Sequence, residues 1–248
     1  MKPKSILFWP YQLYAWLFFI PFACLWSFLC GWAAVLVATV GSQRAASHYV
    51  GKTWARVLGW LTPIRVTVEG ADRIDPSQTY VVVSNHVSQY DIIVIYGWLM
   101  IDLRWVMKQE LRKLPGIGPA CEKVGHIIVD RRNPESARRS LNEALARIGD
   151  GIGILFFPEG TRSLDGRLKP FKKGAFRIAL DEQLPVLPIT LLGTRDILPA
   201  KTLKLFPGRA RIVIHPAIEP APGGDLRALM ETARDAIASA LPEERAAA

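Results

Sequence analysis

Apolar residues recur along this chain in three rhythms, and each predicts a different kind of element. From Ser5 to Gln43 the run is unbroken, 39 residues without a charge. Pro21 divides it into Ser5–Ile20 and Phe22–Val40. The first piece reaches about 24 Å as a helix, short of a hydrocarbon core of about 30 Å, while the second is just long enough to span. From Arg44 to Trp60 the spacing turns helical, with Val50, Trp54, Val57 and Leu58 among polar residues. That predicts an amphipathic helix leading into the rest of the chain. Beyond it, short apolar and β-branched runs predict strands at Ile64–Val68, Tyr80–Ser84, Leu103–Lys108, His126–Val129, Ile152–Phe157, Pro185–Leu192 and Arg209–His215.

Between the strands lie helical stretches. Asp91–Leu99 fits a buried helix or another strand, and a helix is favoured because Ser88-x-x-Asp91 has the form of a capping box. Pro134–Gly149 carries Ala137, Leu141, Leu145 and Ile148 on one stripe, with Pro near its start and Gly at its end. Leu226–Leu241 follows Asp225 as N-cap, after the Pro-rich segment Pro216–Gly224 that ends the sheet. The alternation predicts an α/β fold: a mixed, largely parallel sheet of about seven strands covered by helices, with an N-terminal two-helix membrane anchor. Residues 1–43 form the aromatic-rich hydrophobic anchor in this reading, and residues 44–248 the α/β domain.

Composition sharpens the anchor. Eleven of the 24 aromatic residues, from Phe8 to Trp32, fall in the first 32 positions. Such residues gather at membrane interfaces rather than at the bilayer centre. The apolar run is far longer than the core of a signal peptide, which disfavours cleavage. A two-helix hairpin embedded from one face is therefore expected, with a single spanning helix as the alternative. A buried helical pair of a soluble protein is the third reading. Lys2, Lys4 and Arg44 flank the run on both sides, which favours the cytoplasmic face of the inner membrane.

Charge is equally uneven. Of a net +9, residues 101–177 hold 16 Lys and Arg against 9 Asp and Glu. A basic middle suits an anionic substrate or lipid surface. Nucleic acid is disfavoured because few aromatics are interleaved there. The three cysteines, Cys24, Cys30 and Cys121, form no CxxC pair, so neither a disulfide framework nor a metal site is expected.

Candidate chemistry begins at His86-Val87-Ser88-Gln89-Tyr90-Asp91, just after the strand Tyr80–Ser84. Residues five apart on a straight helix point about 140° away from each other, so contact between His86 and Asp91 requires a turn between them. Two readings fit equally. Asp91 orients His86, leaving the other ring nitrogen as a general base, or Asp91 only caps a helix beside a bystander histidine. A second cluster, Phe157-Pro158-Glu159-Gly160-Thr161-Arg162-Ser163, follows the fifth strand. Strand ends of this kind are where α/β ligand sites gather, and the Arg162 guanidinium matches phosphate. A surface turn with solvated Glu159 and Arg162 is the plain alternative. Lys108 follows the third strand and Asp130-Arg131 the fourth, with Leu111, Leu114, Pro115 and Ile117 as a nearby apolar wall.

These residues carry a resemblance. Asn85-His86-x4-Asp91, Lys108-Gln109-Glu110-Leu111 continuing to Gly125-x4-Asp130-Arg131, Phe157-Pro158-Glu159-Gly160-Thr161-Arg162-Ser163, and Leu184-Pro185-Val186-Leu187-Pro188 occur in that order. The chain thereby resembles the glycerolipid acyltransferase family that includes the 1-acyl-sn-glycerol-3-phosphate acyltransferases, over roughly residues 65–215. The resemblance implies transfer of an acyl chain from a thioester to the free hydroxyl of lysophosphatidic acid, making phosphatidic acid. Another lyso-lipid, such as a lysophospholipid or lyso-ornithine lipid, is the alternative acceptor. It implies His86 as base and Asp91 as its orienting group. Glu159, Gly160, Thr161 and Arg162 would hold the acceptor phosphate with Lys108 and Arg131. No cofactor is implied beyond the donor, acyl-CoA or acyl-carrier protein, and the chain has no Gly-x-Ser-x-Gly elbow. A non-catalytic protein of anionic lipid surfaces is the reading from another class.

Overall fold

The strand Tyr80–Ser84 (β2) shows why the chain folds as two layers of helix over one sheet. All five of its residues are buried. Tyr80 and Val82 enter one hydrophobic cluster, and Val81 and Val83 enter the other. Period-two alternation normally separates core from solvent; here both sides are core, so the strand reads as a continuous apolar run. The structure, a computed structural model, describes residues 6–130 and 132–243.

Seven strands form one sheet: β1 Ile64–Glu69, β2, β3 Asp102–Lys108, β4 Ile127–Val129, β5 Ile152–Phe156, β6 Val186–Leu192 and β7 Gly208–Ile214. Their spatial order is β1-β7-β6-β2-β5-β3-β4. All neighbours are parallel except β6 and β7. The expected mixed, largely parallel sheet is what forms. Because β2, β5, β3 and β4 run the same way, the residues that follow them emerge along one edge of the sheet.

The N-terminus departs from expectation at Pro21. One continuous helix, α1, runs from Phe8 to Val40, about 50 Å at 1.5 Å per residue. Proline removes a hydrogen bond and crowds the carbonyl four residues back. The turn just before it, Ala15–Phe19, has the wider π geometry, which loosens the helix where that crowding falls. The chain reverses instead at Gly41–Ser42, where the Ser42 side chain accepts from Ala45 N–H and starts a second helix, α2, over residues 43–61. The Trp54 indole donates to Ser27 Oγ at 2.9 Å and ties α2 to α1.

One stripe of α1 (Phe8, Gln12, Ala15, Phe19, Cys30, Ala34) is buried against the rest of the protein. The opposite stripe exposes Trp9, Leu13, Trp16, Leu17, Leu25, Leu29, Trp32 and Leu36. At Gly31 the helix backbone meets the backbone of Gly116 so closely that a Cβ on Gly31 would lie 2.5 Å from the Gly116 carbonyl oxygen. An apolar helix that shows aromatic side chains along its whole length marks membrane association.

The remaining helices are α3 Tyr90–Trp98, α4 Ile117–Val124, α5 Pro134–Leu145, α6 Gly174–Asp181, the short α7 Thr194–Ile197 and α8 Leu226–Ser239. Helices α1, α2 and α3 cover one face of the sheet; α5, α6 and α8 cover the other. Three of these were not expected, the four-residue α7 among them. Glycine and proline around Ile117 conceal α4, which enters through Gly116 at φ +74° and leaves through Gly125 in the left-handed region. Lys172-Lys173 conceals α6, whose Ala175, Phe176, Ile178 and Ala179 are buried. Helix α5 stops at Leu145, four residues short of the expected end.

Candidate active site

At the end of β2 the chain is pinned before it turns. Asn85 Nδ2 donates to the Leu191 carbonyl at 3.0 Å, and Asn85 Oδ1 accepts from Leu191 N–H at 2.7 Å, clamping the turn to β6. His86 comes next, and the turn brings it to Asp91: His86 Nδ1 lies 2.7 Å from Asp91 Oδ2. The same oxygen accepts from the backbone N–H groups of Val87 and Ser88 at 2.7 and 2.8 Å. The other oxygen accepts from Thr194 Oγ1 at 2.5 Å. Asp91 is fully buried. The capping motif thus exists in altered form: Asp91 reaches back to Ser88 N–H, while Ser88 Oγ accepts from Tyr90 N–H at 3.0 Å. Capping and His–Asp contact are one structure rather than two alternatives.

An acceptor on Nδ1 fixes the neutral imidazole with its proton there, so Nε2 carries the lone pair. Nε2 has no partner among the described residues, and the His86 side chain stays slightly exposed. Its ring stacks on Phe157 with centroids 4.0 Å apart. The histidine is held on both nitrogen and face and left open at one atom, the requirement for a general base.

The second cluster follows β5, which pairs with β2. His86 N–H donates to Glu159 Oε1 at 2.7 Å, and Ser163 N–H donates to the His86 carbonyl at 2.7 Å. Glu159 Oε2 accepts from Lys169 N–H at 3.1 Å, and Lys169 Nζ donates to Thr161 Oγ1 and to the Arg162 carbonyl. Both oxygens of Glu159 are therefore spent on backbone donors, and it joins two loops. Burial pushes its carboxyl up to about 7 against the pull of those two N–H bonds. Gly160 has φ +75°, a left-handed backbone that favours glycine, and the Lys172 side chain crosses over it.

Thr161 is exposed and Arg162 half-exposed; the Arg162 guanidinium has no partner among the described residues. Lys108 is also exposed, at the end of β3. Strand register puts it level with the start of the Pro158 turn and about 10 Å from β2. Arg131 lies outside the described residues. The structure thus groups His86, Asp91, Glu159, Gly160, Thr161 and Arg162 directly, with Lys108 on the rim. Sequence reasoning missed Thr194 and Lys169, which nothing local marks.

Backbone donors divide sharply. The N–H groups of His86, Val87 and Ser88 are all taken by carboxylates. Those of Glu159, Thr161 and Arg162 have no partner among the described residues. The N–H groups of Glu159, Thr161 and Arg162 are thus the donors this edge can turn toward a developing oxyanion.

An apolar cavity of about 370 Å³ begins within a turn of Asp91, at Gln89, Ile92 and Ile93, and runs between α1, α2 and α4. The size is typical of a small-molecule site. Leu111, Leu114 and Ile117, expected as an apolar wall, line it. Its inner end is aromatic, with His126 stacked on Trp105 and Tyr96 edge-on to both. Burial drives His126 down to about 3, so it lies neutral in that wall.

A family model described as acyltransferase matches residues 65–192. A 1-acyl-sn-glycerol-3-phosphate acyltransferase of Chlamydomonas reinhardtii is 36% identical over 215 residues, covering 86% of this chain and 63% of that one. The chloroplastic enzyme BAT2 of Brassica napus is 36% identical over 80% of this chain and 57% of its own. The alpha form from Homo sapiens is 30% identical over 88% of this chain and 78% of its own. This chain therefore spans less than two-thirds of the two plant and algal relatives. Among solved structures, the 1-acyl-sn-glycerophosphate acyltransferase PlsC of Thermotoga maritima superposes with a TM-score of 0.80 at 27% identity, over 92% of this chain and 93% of that one. The chain belongs to the acyltransferase family, the family of the 1-acyl-sn-glycerol-3-phosphate acyltransferases.

Proposed function

We propose that this chain transfers an acyl group from a thioester to the free hydroxyl of 1-acyl-glycerol-3-phosphate, forming phosphatidic acid and a free thiol. The observation that carries it is the His86–Asp91 contact at 2.7 Å with Nε2 open, set between an apolar cavity and a basic rim. His86 Nε2 takes the hydroxyl proton as the oxygen attacks the thioester carbonyl. Asp91 stabilises the imidazolium that forms. The oxyanion is received by free N–H groups of the Glu159–Arg162 turn. Collapse breaks the C–S bond, and the thiolate takes the proton back from His86. No covalent enzyme intermediate and no cofactor are needed.

The cavity takes the acyl chain, and Thr161, Arg162 and Lys108 take the acceptor phosphate, whose bidentate fit to guanidinium favours it over a neutral headgroup. Glu159 and Gly160 shape that turn rather than bind. Acyl-CoA and acyl-carrier protein both supply the required thioester. The helix α1 packs on the domain from Gln12 to Gly31, so the bilayer meets it side-on and the protein docks from one face. Basic residues on both flanks of the anchor support a location on the cytoplasmic side of the inner membrane. A donor-by-acceptor screen on the purified full chain in vesicles tests the reading. Turnover of lysophosphatidic acid that exceeds turnover of lysophosphatidylglycerol and lyso-ornithine lipid supports it. Lipid binding with no turnover of any pair contradicts it.

A further inference from the structure

The exposed aromatic face of α1 is not the whole docking surface. The loop between α7 and β7 comes up beside its first half. Leu203 is 69% exposed, flanked by Lys201 and Lys204, both exposed. Neither lysine has a carboxylate partner among the described residues. Lys201 holds a left-handed backbone at φ +61°, which a non-glycine residue adopts at a cost.

This loop is bonded to α1 at three levels. The Trp16 indole N–H donates to the Leu203 carbonyl at 3.0 Å. Gln12 Nε2 donates to the Leu205 carbonyl at 2.7 Å, and Gln12 Oε1 accepts from Leu205 N–H at 3.3 Å. Phe8 stacks on Phe206. Trp16 itself is 47% exposed on the face that α1 shows to lipid. The loop tip therefore cannot leave the plane of the membrane helix without breaking an indole bond and a two-point amide clamp.

We propose that residues 199–206 are a second membrane-contacting element that selects anionic phospholipid. Leu203 enters the acyl boundary beside Trp16, and the Lys201 and Lys204 ammonium groups bind headgroup phosphates. The chemistry matches the depth order of an interface: an apolar side chain below, an indole at headgroup level, and lysines that snorkel to phosphate. The base of the loop is fixed to the site, since Ser88 Oγ donates to the Leu198 carbonyl at 2.7 Å and Thr194 bonds Asp91. The contact thereby turns the His86 edge of the sheet toward the bilayer. The proposal depends on membrane association alone and stands whether or not His86 is the base.

The test is lipid photolabelling on the full chain. A benzophenone amino acid replaces Leu203, with Leu13 on the α1 face as positive control and exposed Glu182 as negative control. Vesicles are phosphatidylcholine containing about 30 mol % phosphatidylglycerol, with one or the other lipid radiolabelled. Position 203 labels as position 13 does, while position 182 stays dark. In Lys201→Ser/Lys204→Ser, phosphatidylglycerol labelling at 203 falls at least about three-fold and labelling at 13 is unchanged. Raising salt to about 0.5 M on the chain with both lysines intact gives the same selective fall, because screening removes the attraction of exposed charges. No labelling at 203 overturns the membrane contact. Labelling of phosphatidylglycerol that ignores both the lysine substitutions and salt overturns the anionic selection.

Discussion

The His86–Asp91 corner and the basic rim share one edge of the sheet but are built on opposite terms. Asp91 is fully buried and accepts from His86, Val87, Ser88 and Thr194. Arg162 and Lys108 are solvated, and neither has an ion-pair partner among the described residues. The contrast follows from what each must do. A base must sit at one place before substrate arrives, and buried hydrogen bonds are what fix a side chain to that tolerance. A phosphate grip must exchange its own water for a charged headgroup, which an already paired guanidinium would do badly. Glu159 joins the two regions: one oxygen holds His86 N–H and the other holds the loop that carries Thr161 and Arg162.

The sharpest way to break this contrast is Asp91→Asn. The new amide carries no charge to stabilise the imidazolium, and its NH₂ must face either the Val87 and Ser88 donors or the Thr194 hydroxyl. We expect kcat to fall about 10³-fold or more in steady-state assays. A loss under ten-fold would mean that the corner is merely a helix cap.

Glu159→Gln tests the joint. The wild-type carboxyl keeps its proton in the folded state up to about pH 7, against an ordinary value of 4.5. Between those values the folded chain binds more protons than the unfolded chain. Stability therefore declines as pH climbs through that window, by at most about 3 kcal/mol, and the full cost is present above it. Thermal melts from pH 4.5 to 8 should show this slope in the wild type and a flatter one in the variant. The variant should also melt lower at pH 5, because its NH₂ faces one of the two backbone donors.

On the rim the effects are smaller and specific to one substrate. Arg162→Ala should raise the acceptor KM about ten-fold and leave the donor KM within two-fold. Equal changes in both would remove Arg162 from the phosphate site. Lys108→Ala, about 10 Å from β2 by strand spacing, should raise the acceptor KM only two- to five-fold, and less at high salt.

The same contrast explains what could be read from the residues alone. Strands such as Tyr80–Ser84 and Ile152–Phe156 are legible because local β-branched or apolar runs make them. The His86–Asp91 contact is legible because a turn is the one way to join residues five apart. Thr194, 103 positions from Asp91, and Lys169, ten from Glu159, are brought in by tertiary folding and leave no local trace. The proline at position 21 misled for a related reason. Its cost is absorbed by a π turn at Ala15–Phe19 and by packing of one stripe of the helix on the domain, neither of which hydropathy records. The close approach of Gly31 to Gly116 rests on two glycines in different segments, each unremarkable by itself.

The most direct test is acyl transfer by His86→Ala, purified in vesicles and matched to wild type by circular dichroism and by cosedimentation with lipid. The account predicts a folded, membrane-bound protein whose turnover of lysophosphatidic acid is lower by about 10³-fold. Wild-type turnover in that same folded, bound protein would contradict it.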